Sequence, residues 1–330
     1  MAGWEFYRSC GGYSWILREF PIILAGDSKR LAVRYGSGML NRRRLLTLIP
    51  ALQLRAAADA KMTLCIHQTT TAAAGYRKSL EGYARAGIKQ VEIVPPLVDP
   101  YIKTEGVAGA KRLLSDLGLT AVSHGGARGL WDPGPERAQA LENLKHNAEV
   151  AAEMGIDRMV APCTATGKFG PDDYARAAAN IRQAGDVARQ FRVTLMMEFT
   201  RASTFIATLP TALRLVREAG HPNVRPMLDF YHFWSGLSKF GDLEQIRAGE
   251  IHHVHFQDVP DMPRELLDST TREIPGTGVT PIPKILRALS GKGYAGPLSV
   301  ELFAPKYQNG DPYEVARAIR EKAEPLLQMG

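Results

Sequence analysis

From residue 62 to the C-terminus, short apolar runs rich in β-branched residues alternate with segments whose apolar positions recur every three or four residues. The runs at 62–67, 90–94, 120–124, 158–163, 193–198, 224–229, 251–255 and 297–301 read as strands buried on both faces. The helical periods fall between and after them, at 76–86, 107–117, 136–154, 172–191, 209–219, 243–248, 282–289 and 312–327. Eight such alternations are the number needed to close a (β/α)8 barrel, so the pattern predicts an α/β chain with one barrel domain over 62–330 and an N-terminal extension over 1–61. Pro171-Asp172-Asp173 after Gly170 and the Pro135-Glu136 pair mark helix starts, and Gly155 and Gly220 mark stops.

Four of these runs, in succession, end on a metal-type side chain: Glu198, Asp229, His255 and Glu301. Parallel strands bring their C-terminal ends to one mouth, where barrel enzymes place their chemistry, so the four are expected around a single ion. Three carboxylates and one imidazole form a hard, oxygen-rich set suited to one divalent metal, with Mn2+ leading and Mg2+, Co2+ and Zn2+ admitted. An ion with open positions could take adjacent carbonyl and hydroxyl oxygens of a substrate and acidify the neighbouring C–H. Glu198 and Glu301, from strands on opposite sides of the ring, are then the natural pair to remove and return the proton.

Composition narrows the classes. The net charge of +7 is concentrated in residues 1–61, with ten Lys/Arg against four Asp/Glu, which leaves 31 against 30 in the rest. A nearly neutral body does not suit a large phosphate-binding face, and no nucleic-acid partner is expected. Cys10, Cys65 and Cys163 have no paired spacing, which argues against a disulfide framework or a thiolate zinc site. The first sixty residues show no sustained helix or strand period. Read from Met39, the Arg42-Arg43-Arg44 start, short apolar stretch and small-residue end resemble an export signal, interrupted by Arg55. Two destinations follow, the periplasm if that segment acts and the cytoplasm if the leader is a disordered basic extension. No stretch reaches the roughly 18 apolar residues of a membrane span.

Further candidates surround the four ends. His232, in Asp-Phe-Tyr-His, stands where the sixth strand enters its loop and is expected to bind a substrate hydroxyl or a second metal, and His124 closes the third strand before Gly125-Gly126 and is expected to contact substrate. His253 shares the face of His255 and should fill the barrel interior, with His252 turned outward. Cys163 and Glu92 also end strands and read as packing or structural hydrogen bonding. The long segment 258–280 reads as a substrate-covering loop, with Arg272 as the forked donor that orients an anionic or polyhydroxylated substrate. Phe205, Phe230, Trp234 and Phe303 divide between an apolar pocket wall and core.

Glu198, Asp229-x-x-His232, His255-x-x-Asp258, Pro275-Gly-x-Gly278 and Gly293-Tyr-x-Gly-Pro-Leu-Ser-Val-Glu301, taken in order, resemble the xylose isomerase-like TIM barrel superfamily over residues 62–328. Met-Thr-Leu-Cys at 62–65, Asp261-Met-Pro-Arg-Glu-Leu-Leu-Asp, Arg272 and Ser299-Val-Glu-Leu-Phe-Ala-Pro305 are most similar to its inosose isomerases. The resemblance implies one divalent metal on Glu198, Asp229, His255 and Glu301, proton exchange by the two glutamates, and substrate hydroxyls held by His232 and Arg272. The chain departs at Thr277, where many relatives carry an acid, and in its leader.

The expected function is a metal-dependent sugar or inosose isomerase or epimerase, acting on a small polyhydroxylated carbonyl substrate through a metal-stabilised enediolate. The alternative is a lyase on the same scaffold, an inosose or dehydroshikimate dehydratase or a subunit of a C-glycoside-cleaving enzyme. The superfamily's abasic-site endonucleases need a histidine closing the second strand, where Val94-Pro95-Pro96 stands. Assembly is open between a homo-oligomer and a complex with a partner subunit.

Overall fold

The computed structural model describes residues 61–329 except 127, 133 and 135, together with five short strands within the first 41 residues. The chain divides into two compact units, Met1–Ala60 and Lys61–Gly330. In the first, Trp4–Ser9 pairs antiparallel with Gly12–Leu17, and Ile23–Ala25, Ala32–Tyr35 and Gly38–Asn41 form a three-stranded antiparallel sheet. A segment read as lacking strand period thus contains hairpin pairings, favoured by the aromatic and aliphatic content of Trp-Glu-Phe-Tyr and Tyr-Ser-Trp-Ile-Leu. The signal-like stretch at 42–60, Cys10 and Pro135 lie outside the described residues.

In the second unit the strands are β1 (Thr63–His67), β2 (Gln90–Ile93), β3 (Thr120–His124), β4 (Arg158–Pro162), β5 (Thr194–Glu198), β6 (Val224–Pro226 and Leu228–Asp229), β7 (Val254–His255) and β8 (Pro297–Val300). Every pairing is parallel. The first half of β6 pairs with β5 and the second half with β7, the two separated by Met227, whose N–H bonds the Met197 carbonyl. The row of strands therefore begins and ends on the two halves of one strand, which closes the sheet into an eight-stranded barrel.

The helices mostly follow the pattern, including Gly75–Arg85, Arg137–Met154, Pro171–Gln190, Leu209–Ala219, Ile282–Gly291 and Pro312–Leu327. Two regions differ. Helix runs from Pro95 to Asp116, broken at Gly106 where φ is 71°, so the stretch before 107 is also helical; Pro95 and Pro96 start it because their fixed φ suits the first turn. The segment expected as a helix at 243–248 is a 3-10 turn, Phe240–Gln245, preceded by a short helix, Phe230–Ser235. No helix among the described residues is long and apolar enough to cross a membrane.

The main apolar core lies between the barrel and its helices. Inside the barrel, Val160, Met196 and Met227 form a separate apolar plug, while the rest of the upper interior is polar. Serving as the seam of the ring, the first helix, Gly75–Arg85, packs on the last, Pro312–Leu327. Gly82 permits that contact, because a Cβ there would lie 2.5 Å from Pro312 Cβ and 2.7 Å from Tyr313 N. Gly82→Ala gains about 1 kcal/mol of helix propensity but forces an overpacked seam costing about 1–3 kcal/mol, so a lowered Tm is expected in a thermal melt; a raised Tm would show that the seam can yield.

Candidate functional site

The Asp-x-x-His spacing has a local cause. Asp229 ends β6 and caps the helix Phe230–Ser235, its Oδ1 accepting the His232 N–H at 2.6 Å. The cap leaves Oδ2 aimed into the barrel mouth and turns the His232 ring over it. His232 Nδ1 accepts the Arg201 N–H at 3.2 Å, while Nε2 lies 3.2 Å from Arg272 Nη2. Burial outweighs Asp229 and holds His232 down to about 4, so the ring stays neutral. A neutral ring accepts at one nitrogen only, which leaves one of those two donors without its acceptor. The Nε2–Arg272 side is the one open to a substrate oxygen.

His255 is the hub. Its Nδ1 is 3.2 Å from Glu198 Oε1, 3.4 Å from Asp229 Oδ2 and 3.4 Å from Glu301 Oε2. Its Nε2 is 3.2 Å from Glu92 Oε2. Glu92, one residue before the end of β2 and fully buried, also meets His253 Nε2 at 2.8 Å and Ser123 Oγ at 3.3 Å. Burial would push the Glu92 carboxyl up, but His253, His255 and His67 hold it well below the usual range. Conversely, burial would lower His255, yet Glu301, Glu92 and the other carboxylates raise it well above its ordinary value. Glu92 thus fixes the ring so that Nδ1 faces the three carboxylates, the arrangement in which an acid orients a metal-ligating histidine.

Arg272 reaches the same cluster from the long segment. Its Nη1 is 3.0 Å from Asp229 Oδ2 and 2.5 Å from Glu301 Oε2, and its guanidinium lies over Tyr231 and Phe303. Asp258 anchors the segment, its carboxylate accepting the N–H groups of Val259, Gly276, Gly278 and Thr280 while its backbone bridges to Glu273. Gly278 is required there, since a Cβ would fall 2.0 Å from the Val259 carbonyl. Arg201 Nη1 holds the middle of the segment through the carbonyls of Leu267 at 2.6 Å and Arg264 at 3.1 Å. The segment expected to cover substrate therefore also delivers a fixed cation to two of the three strand-end carboxylates.

The four strand-end groups offer ligand atoms that all lie within 4.8 Å of one another. Neighbouring ligands about 2.0–2.2 Å from one ion sit roughly 3.0–3.5 Å apart, which matches the three distances from His255 Nδ1. Burial raises Glu198 to about 7, opposed by His255. Burial acts the same way on Asp229 and Glu301, but Arg272, His232 and His255 hold Asp229 well below the carboxylate range, and His255 and Arg272 hold Glu301 at about 2. Three acids with so little solvent need positive charge, and the donor set fits a hard divalent ion.

Glu198, His255 and Glu301 line a cavity of about 300 Å³, whose walls include Val94, Pro95, Gly125, Gly126, Thr200 and Phe303. Of the other expected contacts, His232 and Arg272 line it, and His124 does not. Its neighbour Ser123 points inward to Glu92, so strand alternation turns His124 to the helix layer, where neither ring nitrogen has a partner and burial holds it near a pKa of about 4. His253 fills the interior as expected. Phe303 is wall, whereas Phe205 packs on Tyr174, Phe230 on Phe256, and Trp234 under Arg264. Cys163 is buried beside Ser203. Two residues were passed over in the sequence. Glu92 was read as structural, and His67, which closes β1 as His255 closes β7, was not singled out; the strand-end position was the available signal.

Residues 80–325 match the family described as xylose isomerase-like TIM barrel. The chain belongs to that family. Among its relatives, an inosose isomerase of Halalkalibacterium halodurans is 27% identical over 186 residues, 56% of this chain and 66% of that protein. A 3-dehydroshikimate dehydratase of Pseudomonas putida is 25% identical over 70% of this chain and 38% of its own, and an L-ribulose 3-epimerase of Mesorhizobium japonicum is 25% identical over 60% and 67%. The chain thus aligns with just under two thirds of the first of these relatives. In fold it is similar to the IolI protein solved with a zinc atom, at a TM-score of 0.76 and 21% identity over 81% of this chain and 98% of that one.

Within this family barrel, Glu92→Gln is expected to weaken Mn2+ binding by about 10–100-fold, read by calorimetry on metal-stripped protein; unchanged affinity would remove Glu92 from the site. Because His255 and Glu198 must lose protons to bind an ion, and their pKa values are raised in the metal-free protein, Mn2+ affinity should rise from pH 6 to pH 8 with proton release. A pH-independent affinity would refute that coupling.

Proposed function

We propose that this chain is a divalent-metal-dependent isomerase or epimerase of the sugar or inosose class, moving a proton between neighbouring carbons of a small polyhydroxylated carbonyl compound through an enediolate. The observation that carries this reading is the convergence of Glu198, Asp229, His255 and Glu301 within ligand distance of one another, three of them lining one cavity and Asp229 buried beside it. In this reading the four are the metal ligands, Glu198 and Glu301 supply the carboxylates for proton transfer, and His232 and Arg272 bind substrate oxygens. A bound ion would polarise the substrate carbonyl and acidify the adjacent C–H. The oxygen-rich set favours Mn2+, and the zinc of the IolI structure keeps Zn2+ among the candidates.

His232 Nε2 and the Arg272 fork face the cavity together and would orient vicinal oxygens. Phe303, Val94 and Pro95 supply apolar parts of the cavity wall. A volume of about 300 Å³ lies at the small end for ligand pockets and accommodates a single six-carbon ring. A dehydratase is the second reading, supported by the likeness to 3-dehydroshikimate dehydratases and by His67 and His232, two cavity-lining imidazoles able to assist a departing hydroxyl.

The test follows proton NMR in D2O with Mn2+-loaded full-length protein and 2-keto-myo-inositol, 3-dehydroshikimate or free ketoses. Deuterium should enter at a carbon beside the carbonyl, stop on chelation, and fall by about 10²–10⁴-fold in Glu198→Gln. The product separates isomerase from lyase. No exchange with any of these compounds in a protein that binds Mn2+ tightly would overturn the proposal.

A further inference from the structure

The rim of the barrel mouth carries an apolar surface with nothing packed on it. Among the described residues six large apolar side chains are exposed, and five of them, Leu237, Phe240, Met262, Leu266 and Val279, lie on the two segments that follow β6 and β7. Leu237 is 75% exposed and Leu266 65%. Single apolar residues scattered over a surface are ordinary, whereas a group of this kind marks a contact.

Shared neighbours hold the five together. Trp234 packs on Tyr231, Val259 and Leu267, which joins the helix Phe230–Ser235 to the long segment. Leu237 follows Trp234 by three residues, and Leu266 adjoins Leu267. Val279 donates its N–H to the Val259 carbonyl at 3.0 Å, and Phe240 stands edge-on to Phe233 with centroids 6.5 Å apart. The backbone beneath Leu266 and Val279 is already fixed by Asp258 and by the bonds from Arg201 to the Arg264 and Leu267 carbonyls, so covering these side chains costs little further ordering. At their exposures the five leave uncovered an apolar area on the order of 500 Å², toward the upper end of the largest patch on a typical monomer.

The charges around the patch are sorted by sign. Lys239 and Lys284 flank Phe240, with Lys284 Nζ 5.8 Å from its ring centroid, while Asp261 and Glu265 flank Met262 and Leu266 on the long segment. Between them Arg264 is occupied by the Trp234 ring at 4.3 Å. Among the described residues none of the two lysines and two acids forms an ion pair.

We infer that this surface is a two-fold interface between two copies of the chain, with the lysine end of each patch lying on the acidic end of the other. A two-fold contact uses the same surface on both copies and must be complementary to itself. A patch of one sign would repel its copy, whereas one with cations at one end and acids at the other meets that condition when the two run antiparallel. The area agrees, because a standard interface takes about 800 Å² from each copy and is about 65% apolar in homodimers, which is an apolar core on the order of 500 Å². The inference stands apart from the reaction assigned to the site, yet it bears on that site. Ser269 and Arg272, from the same long segment, line the cavity, so a copy seated on the segment keeps it down on the mouth.

The test is sedimentation velocity on the full-length protein between about 1 and 100 μM, where a dimer is expected. Leu237→Asp combined with Leu266→Asp should give a monomer with an unchanged circular dichroism spectrum. Lys239→Glu with Lys284→Glu should weaken the dimer at least about tenfold, and adding Asp261→Lys and Glu265→Lys, which turns the patch end for end, should restore it. The charge series keeps the apolar area constant, so it reads the interface even where the leucine variant fails to fold. A wild-type monomer would overturn the inference, whether the patch then serves a different protein or none. So would a dimer indifferent to the leucine substitutions, or a charge reversal that the compensating pair fails to rescue.

Discussion

Four carboxylates, those of Glu92, Glu198, Asp229 and Glu301, share one end of the barrel with almost no access to water. An unpaired buried charge is among the most costly features a fold can contain, and the upper half of this domain is arranged around compensating them. His253 and His255 stand on one face of the β7 segment, two residues apart, so that a single strand places two imidazoles against Glu92. Arg272 completes the compensation from the other side. The cluster holds together because each acid has a cation or donor within reach.

The long segment after β7 gains its order from the same requirement. Asp258 gathers four backbone N–H groups at its base, Gly278 allows the chain to pass against Val259, and Arg201 ties down the middle. Without that scaffold the guanidinium of Arg272 would need to be ordered on a free loop, losing side-chain and backbone entropy each time it met Asp229 and Glu301. A rigid loop makes the contact cheap. The polar barrel interior and the irregular segment are therefore parts of one electrostatic solution.

The ring of strands was legible because parallel strands buried on both faces leave apolar runs, and the meeting of Glu198, Asp229, His255 and Glu301 was legible because the strand ends converge by topology. The Phe240–Gln245 turn was not, since short apolar spacing at 243–248 is compatible with either a helix or a tight turn and packing decides. His124 shows the limit of arguing from strand ends alone: a residue at the end of a strand faces the mouth or the helices according to its parity, and a register shift between Val91 and Glu92 separates the two outcomes along β2 and β3. Glu92 and His67 look like ordinary strand residues until the histidines of β7 are set opposite them. Their roles are pairwise, and a pair more than 150 residues apart leaves no local pattern.

Asp229 divides its two oxygens between two tasks, one closing a helix and the other facing His255 and Arg272 in the barrel mouth. Replacing Asp229 would loosen the turn that carries His232 in the same step as it removed one of the three carboxylates around His255, so local folding and the chemistry of the mouth cannot be varied separately at this position.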